Sequence, residues 1–243
     1  MKHEFIRENL YFPVKGILVI GDLHLGYEQQ LIQSGVLTPK KETQQVIDEL
    51  RDIILELKEK QKKLQKIIFI GDIKHAFDFQ YEEKFSFKEV LEFLSQYFKS
   101  ENIIFIRGNH DTIDFTYGDM KDFYIEDDIA FIHGHKDFPE IYKKEIKTIV
   151  MGHIHPSVVF HDKETIKKET FKCFLAGEYK KKKVIILPSF LGVSIGSPIN
   201  EYADAYEDEF SIIPKKQLLK FRVYVVGKDK VYEFKKVRDL LDA

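Results

Sequence analysis

Five turns of this sequence place glycine beside residues that can bind metal ions or transfer protons. Each turn directly follows a short apolar run; the five read GDLH, GDIKH, RGNHD, HGH and GHIH and begin at residues 21, 71, 107, 133 and 152. They hold seven of the nine histidines in the chain. Histidines without a shared role would be scattered along the sequence, so we expect the five turns to meet at one site.

The side chains in these turns are of the types that bind first-row transition metals. They combine carboxylates, an amide and imidazoles, and the single cysteine of the chain, Cys173, lies elsewhere. This mixture suits Mn, Fe, Zn, Ni or Co, whereas Mg and Ca prefer oxygen ligands alone. Glycine allows sharp bends, so side chains two residues apart, such as Asp22 and His24, can reach one point. The sequence therefore predicts a class of metals and not one metal.

The runs before the turns have the length and composition of buried β-strands. Six such runs are GILVI at 16–20, KIIFI at 66–70, NIIFI at 102–106, IAFI at 129–132, TIVM at 148–151 and KVIIL at 183–187. Helices are predicted between the first three strands, over residues 39–63 with a cap at Thr38 and from Ser86 with Glu89 completing a capping box. This alternation predicts an α/β sheet, and open α/β sheets bind ligands at the carboxyl ends of their strands.

The last third of the chain has a strand pattern. Runs at 221–227 and 230–234 are separated by a Lys-Asp turn and predict an antiparallel pair. Residues 201–210 are acidic and aromatic and have no predicted structure. Lysines at 143, 144, 147 and 180–183 could contact a nucleic-acid backbone, but a solvated turn is favoured because no long basic stripe accompanies them.

Length and composition fit one globular domain over residues 1–243. The chain is 44% hydrophobic, and its formal net charge of -2 gives no overall field that would attract nucleic acid or a membrane. A single cysteine excludes an internal disulfide and a thiolate zinc cluster. The N-terminus lacks the apolar core of a signal peptide and no apolar run is long enough to cross a bilayer, so a cytoplasmic location is expected.

Taken in order, the motifs GDLH, GD, GNHD, HGH and GHIH resemble those of the calcineurin-type metallophosphoesterases. The longer stretches GDLHLGYE and GHIHP resemble the archaeal and bacterial Icc-like branch of that superfamily. The resemblance covers the motifs from Asp22 to His155, and the tail resembles the second sheet of the same fold. It implies an α/β fold of four layers, an α/β/β/α sandwich in which two mixed β-sheets lie face to face between helices.

The resemblance also implies a pair of divalent transition-metal ions, with Mn expected first and Ni, Fe, Zn or Co as alternatives. Position by position, the first ion is expected on Asp22, His24 and His155, the second on Asn109, His133 and His153, and Asp72 between them. Two such ions, about 3.5 to 4 Å apart, can clamp a phosphoryl group and share a hydroxide that attacks phosphorus.

Two further residues are expected to act on the substrate. By the same resemblance, His110 donates a hydrogen bond or a proton to the phosphoester, and Asp111 holds its imidazole in the required tautomer. The role of His75 stays open between supporting a ligand, facing the substrate and a local contact. His135 is expected to support a ligand, and Arg107 could reach a phosphate or simply be solvated.

The expected function is hydrolysis of a phosphodiester in a nucleotide, DNA or RNA, by a metal-dependent enzyme. A phosphomonoesterase acting on a small metabolite or nucleotide is the alternative, because the same core serves both reactions. A non-catalytic scaffold for protein interaction ranks last, since such a protein would be expected to lose ligands or the histidine of GNHD. No membrane partner is expected, and a homodimer is left open.

Overall fold

The first of two mixed β-sheets is built mostly from the N-terminal half of the chain. The structure, a computed structural model, describes residues 2–39, 41–78, 80–112, 120–161, 167–192, 194–201 and 211–241. The strands of the first sheet are β1 (Glu4–Ile6), β2 (Asn9–Phe12), β3 (Ile17–Ile20), β4 (Lys66–Phe69) and β5 (Ile103–Phe105). They lie in sequence order; β1, β2 and β3 pair antiparallel, and β3, β4 and β5 pair parallel.

The second sheet follows in the chain and also mixes strand directions. Its strands are β6 (Phe123–Glu126), β7 (Ile129–Ile132), β8 (Thr148–Met151), β9 (Pro156–His161), β10 (Lys168–Tyr179), β11 (Lys182–Ile186), β12 (Ser197–Pro198), β13 (Arg222–Val226) and β14 (Val231–Lys236). The order is β12-β9-β10-β11-β8-β7-β6, with β13 on β10 and β14 on β13. Strands β7, β8 and β11 run parallel, as β3, β4 and β5 do in the first sheet.

Helices cover the outer faces unequally. The helices are α1 (Tyr27–Gln33), α2 (Glu42–Glu59), α3 (Tyr81–Leu94) and α4 (Lys215–Leu218), with short 3-10 helices at Ser100–Asn102, Pro139–Tyr142 and Val237–Leu240. Helices α2 and α3 pack on the first sheet, and, among the described residues, short helices and loops pack on the second. No helix in the described part of the chain is long and apolar enough to cross a membrane.

Three apolar layers hold this arrangement together. One lies between α2, α3 and the first sheet, a second lies between the two sheets, and a third covers the outer face of the second sheet. The layer between the sheets joins Val19 and Ile68 of the first sheet to Phe131 and Ile185 of the second. Face-to-face packing of two mixed sheets with helices outside confirms the predicted fold.

The six predicted strands are confirmed, whereas the helix boundaries were wrong. Helix α2 begins at Glu42 and not at residue 39, because the Glu28 carboxylate accepts the N–H groups of Lys41 and Glu42 at 2.9 and 3.0 Å. Helix α3 begins at Tyr81, five residues before the predicted start at Ser86. The Ser86 hydroxyl accepts a hydrogen bond from Thr43 at 2.7 Å and caps nothing, so a local motif was overridden by packing against α2.

The tail and the lysine-rich turn agree with their sequence patterns. Strands β13 and β14 pair antiparallel as predicted, and Lys180 and Lys181 form the turn between β10 and β11. Lys182 differs, because its buried ammonium donates to the carbonyls of Lys143 and Ile146, each at 2.6 Å. The short β1–β2 hairpin had no predicted counterpart, and residues 202–210 lie outside the described part of the chain.

A buried carboxylate in the first turn of α3 fixes the loop after β4. Glu83 is 1% exposed, and one of its oxygens accepts the N–H groups of His75 and Ala76 at 3.1 and 2.6 Å. Its other oxygen has no hydrogen-bond partner among the described residues. Burial, opposed by these hydrogen bonds, raises the pKa of Glu83 from 4.5 to about 7. Its ionised form is therefore disfavoured in the folded protein.

We expect Glu83→Gln to change how stability depends on pH. The raised pKa of Glu83 means that, between pH 4.5 and about 7, the folded protein keeps a proton that the unfolded chain loses. The free energy of unfolding of the natural chain therefore falls as pH rises. Glutamine does not titrate, so the variant does not show this decrease in stability. Relative to the natural chain, the variant should gain roughly 2 kcal/mol between about pH 5 and about pH 8 in urea unfolding with chelator present.

The control for this experiment is Glu82→Gln, which removes the neighbouring exposed carboxylate. It should shift the unfolding free energy equally at both pH values. Parallel pH profiles for the natural chain and Glu83→Gln would contradict the raised pKa of Glu83.

Candidate metal centre

The parallel strands of both sheets end at a common edge, and the five polar turns follow those ends. Strands β3, β4 and β5 lead into Asp22, Asp72 and Asn109, and β7 and β8 lead into His133 and His153. Because the two sheets lie face to face, their carboxyl ends bring the turns together from opposite sides. The predicted convergence of the turns is confirmed by the distances between their side chains.

The backbone ladder of the first sheet continues beyond the strands and sets the spacing of the first two turns. His24 N–H donates to the Asp72 carbonyl at 2.8 Å, Leu25 N–H to that of Ile73 at 2.9 Å, and His75 N–H to that of Leu25 at 2.9 Å. Across the second sheet, Gly152 N–H donates to the His133 carbonyl at 3.0 Å. Register, and not chance loop packing, therefore places these side chains side by side.

Two buried carboxylates lie at the centre. Asp22 is 0% and Asp72 2% exposed. Asp22 oxygens lie 3.2 Å from His133 Nδ1 and 3.4 Å from His155 Nε2. Asp72 Oδ2 lies 3.4 Å from His133 Nε2 and 3.8 Å from His24 Nε2. Ionised carboxylates this deep require cationic or hydrogen-bonding partners, and imidazoles surround both of them.

The side chains fall into two groups that share Asp72. In each group, one possible ligand atom per residue lies within 4.8 Å of all the others. The first group is Asp22, His24, Asp72 and His155, and the second is Asp72, His133 and His153. Asn109 joins the second group, since its Oδ1 lies 3.0 Å from His133 Nε2. The structure thus brings together all seven residues predicted as ligands.

Backbone strain accompanies this geometry. Four of those seven residues have positive φ although none is glycine: His24 at 48°, Asp72 at 44°, His153 at 72° and His155 at 41°. Such conformations cost on the order of 1 to 3 kcal/mol each and collect at functional sites. They aim each side chain inward immediately after its strand ends.

Two glycines let the backbone approach the carboxylates closely. A Cβ on Gly108 would lie 2.1 Å from Asp72 Oδ1, and a Cβ on Gly152 would lie 2.5 Å from Asp22 Oδ2. Both contacts are shorter than any side chain tolerates, so glycine is required at these two positions for the carboxylates to stay where they are. The GNHD and GHIH motifs therefore contain glycine for steric reasons.

The electrostatics of the centre favour ionised carboxylates. Burial alone would raise the pKa of Asp22, but His155 and His133 hold it well below its ordinary value. Burial would also raise the pKa of Asp72, but the interaction with His133 outweighs it and lowers that pKa to about 2. Burial, with His155, lowers the pKa of His24 to about 3, so this ring is neutral and its ring nitrogens are suited to bind a cation.

This donor set fits divalent transition metals. Two anionic carboxylates, an amide oxygen and imidazole nitrogens are gathered without any thiolate, and the single cysteine is buried in the second sheet. Hard oxygen and imidazole donors in this proportion suit Mn, Fe, Zn, Ni or Co. The arrangement of Asp72 between two groups provides a carboxylate that two cations could share.

His110 lies at the edge of this cluster, and its predicted orienting partner was wrong. The His110 Nδ1 lies 2.5 Å from the carbonyl oxygen of His75, which fixes the ring. Asp111 instead accepts backbone N–H groups of Gly108, Ile73 and Lys74 at 2.9 to 3.3 Å. Burial, with neighbouring Asp72, raises the pKa of Asp111 to about 6. Asp111 therefore holds two loops together, and the His75 carbonyl orients the His110 imidazole.

His75, whose role the sequence left open, lies between the cluster and a cavity. Its Nδ1 lies 3.4 Å from His24 Nδ1, and its Nε2 contacts the Gln30 side-chain oxygen. Burial, with His110, lowers the pKa of His75 to about 4. Its ring atoms also form a third close group with His24 and His110. A neutral ring facing both the ligands and the cavity suits a contact with substrate.

The other two open residues have different surroundings. His135 packs its ring against His133 and His153 at centroid distances of 5.2 and 6.0 Å. Arg107 donates to the Asp111 carbonyl at 3.1 Å and lies 3.8 Å from Asp122. His135 thus supports two of the clustered histidines, and Arg107 braces the loop that carries His110.

Several residues near the site were missed by sequence reasoning. Gln29 and Gln30 on α1 and Phe77 after β4 line a cavity of about 440 Å³ beside His110. Lys74 is 1% exposed, and its ammonium binds the carbonyls of Ala76 and Asp78. The position of Lys74 inside the GDIKH motif could have marked it. The glutamines could not be identified from the sequence, because amides on a short helix are usually solvated.

Comparisons with known proteins show the family and the fold. The family model described as calcineurin-like phosphoesterase matches residues 16–177. A nuclease MPE from Pseudomonas putida has a similar solved structure, with a TM-score of 0.59, 19% identity, and 94% of this chain and 92% of that chain covered. At this identity the likeness shows a shared fold. A search of curated proteins found no match.

Two further solved structures are more distant. A predicted phosphoesterase from Streptococcus pneumoniae has a TM-score of 0.36 and 15% identity over 90% of this chain and 97% of that chain. Vps29 from Entamoeba histolytica, complexed with Zn²⁺, has a TM-score of 0.39 and 14% identity over the same shares. With the family model covering most of the chain and the clustered motifs at its centre, this protein belongs to the calcineurin-like phosphoesterase family.

Proposed function

We propose that the chain is a dinuclear metal-dependent phosphodiesterase whose substrates are nucleotides or nucleic acid. The observation that carries the proposal is the pair of ligand groups sharing Asp72, with His110 next to them. The similar fold of a nuclease supports the choice of a diester. Mn is the first choice of metal, and a cytoplasmic location remains a prediction from the sequence.

The ligand roles follow the two groups. One divalent ion would be held by Asp22, His24 and His155. The other would be held by Asn109, His133 and His153, and Asp72 would contact both ions. When bound, the two ions would neutralise phosphate oxygens and make water a stronger nucleophile. The side-chain amide oxygen of Asn109 would be an uncharged metal ligand, which limits the negative charge near the bound phosphate.

The chain's own contribution to the reaction comes from His110. Its backbone N–H donates to Asp72 Oδ1 at 2.9 Å, which ties the residue directly to the shared carboxylate. With Nδ1 bound to the His75 carbonyl, Nε2 is the ring atom left to meet the substrate. The His75 carbonyl can only accept, so Nδ1 carries a proton, and the doubly protonated ring can donate from Nε2 a hydrogen bond to the phosphate or a proton to the departing oxygen. The buried wall of the cluster excludes bulk water from the carboxylates.

The function is tested by assaying metal-stripped protein after addition of Mn, Ni, Zn or Mg. The substrates are a model phosphomonoester, a model phosphodiester, and single- and double-stranded DNA. Diester hydrolysis restored by a transition metal is the expected result. Preference for the monoester would replace the proposal with a phosphomonoesterase, and no hydrolysis with any metal would leave a non-catalytic scaffold.

Asp72→Asn should weaken binding of both metals, because one carboxylate lies in both ligand groups. The amide can still accept the His110 N–H, so the fold is expected to persist. Under conditions that load the natural chain with two Mn per chain, the variant should hold fewer than about one, with diester turnover reduced by about 10²-fold or more. Elemental analysis after gel filtration gives the stoichiometry.

The control is Asp48→Asn, which removes an exposed carboxylate of α2 far from the turns. It should keep full metal content and turnover. Two ions per chain in Asp72→Asn would show that Asp72 is not shared between them.

His110→Ala should separate chemistry from metal binding, since His110 is expected to touch the substrate and not the ions. Metal content should stay near that of the natural chain while kcat falls by about 10²- to 10⁴-fold, the usual span for a general acid. His161→Ala, at the exposed end of β9, is the matched histidine control and should change neither quantity. Loss of metal in parallel with activity would contradict the role given to His110.

A further inference from the structure

A cavity of about 440 Å³ opens beside the metal cluster, on the side of His110. It lies between α1, the start of α3 and the loop after β4, and is lined by His110, His75, Phe77 and the glutamines at 29, 30, 33 and 80. Its volume falls in the range of small-molecule sites, about 300 to 1,000 Å³. A group attached to a phosphate at the cluster would extend into this space.

The charges around the cavity disfavour a second phosphate. Asp78 and Glu82 line it, and its described lining contains neither lysine nor arginine. An anion entering the cavity would meet these carboxylates without a compensating cation in that lining. The substrate portion that lies here must therefore be uncharged, while the phosphate stays at the metal cluster.

An aromatic ring at the cavity wall offers a surface for stacking. Phe77 stacks on His110 with a centroid distance of 4.1 Å and an interplanar angle of 25°, yet 58% of the residue is exposed. More than half of its surface is therefore available for contact with a ligand. A flat ring placed on the other face of Phe77 would lie two stacking distances from the histidine expected to work on the phosphoester.

The loop that carries Phe77 is held in place before any ligand arrives. The buried Lys74 ammonium binds the carbonyls of Ala76 and Asp78 on either side of it, and the Thr112 hydroxyl donates to the Phe77 carbonyl. Glu83 holds the N–H of Ala76. A preorganised wall loses little entropy on binding, which favours recognition of a rigid, planar partner.

The polar part of the lining includes several side-chain amides. Side chains of four glutamines supply both hydrogen-bond donors and acceptors without net charge. Nucleobases present mixed donors and acceptors along one edge and an aromatic face, and proteins bind unpaired bases by stacking together with hydrogen bonds to that edge. Among neutral planar groups that are attached to phosphoesters, a nucleobase uses both features of this cavity.

We infer that the cavity binds an unpaired nucleobase next to the scissile phosphate, so that the substrates are single-stranded nucleic acids or nucleotides. The inference deepens the proposed function and rests on it for the position of the phosphate. A base held in a duplex could not reach Phe77 and the glutamines without leaving its partner. Single strands, ends and loops would accordingly be cleaved in preference to intact duplex.

The test compares two probes that differ only by the base. Thymidine 5′-monophosphate and 2-deoxyribose 5-phosphate are titrated into the Mn-loaded full chain by calorimetry, with phosphate release monitored. Stacking of one base gives an expected affinity ratio of about five- to 150-fold in favour of the nucleotide. A parallel assay measures cleavage of single-stranded oligothymidylate with and without one abasic position.

Phe77→Ala should bring the affinity ratio close to one, because it removes the stacking surface. Phe85→Ala removes an exposed phenylalanine of α3 that does not line the cavity, and it should keep the ratio of the natural chain. Equal affinities for the two probes, or an unchanged ratio in Phe77→Ala, would overturn the inference.

The outcomes also separate this inference from the proposed function. Diester hydrolysis together with an affinity ratio of one would support the proposed phosphodiesterase and contradict the nucleobase site. An affinity ratio above about five without hydrolysis of any diester would support the nucleobase site and contradict the proposed phosphodiesterase.

Discussion

Burial of two carboxylates between the sheets is the constraint on which the rest of the structure depends. Asp22 and Asp72 are almost inaccessible to solvent, and moving an ionised carboxylate out of water costs several kcal/mol unless partners compensate. Here the compensation comes from His133, His155 and backbone N–H groups. The same hydrogen bonds and ion pairs offset the strain of the positive-φ residues in the turns.

The same interactions join the two sheets. Asp22 follows a strand of the first sheet and accepts the N–H of His153 from the second at 3.2 Å. The Asp22 carbonyl also accepts the N–H of Phe190, which follows β11 of the second sheet. Cations bound at this seam would therefore strengthen contacts between the sheets, and the proposed metal binding would be coupled to folding stability.

In the proposed function, the metal ligands and the substrate-binding cavity come from different parts of the chain. The ligand groups come from the ends of sheet strands, whose register fixes them tightly. The cavity walls come from α1, the start of α3 and the loop carrying Phe77. Loops and short helices can change without disturbing strand register, and so one metal cluster can serve many substrates.

The sequence alone determined the strands, the residue types of the proposed ligands and the convergence of the five turns. Apolar runs ending in glycine and polar residues are local signals, and parallel strands must bring such ends together. Helix starts were less predictable: α2 begins where Glu28, distant in sequence, satisfies its first N–H groups, and Ser86 lies inside α3. Local capping patterns cannot report contacts made only after folding.

Tertiary structure alone decided which atoms the side chains of the polar turns contact. Asp111 follows His110 directly, yet its carboxylate turns to the backbone of the neighbouring loop, and a carbonyl from His75 orients the imidazole instead. Phe77 and the glutamines of α1 became a cavity only because α1, α3 and the β4 loop meet in space. Adjacency along the chain specifies which atoms are available, whereas packing and burial specify which of them touch.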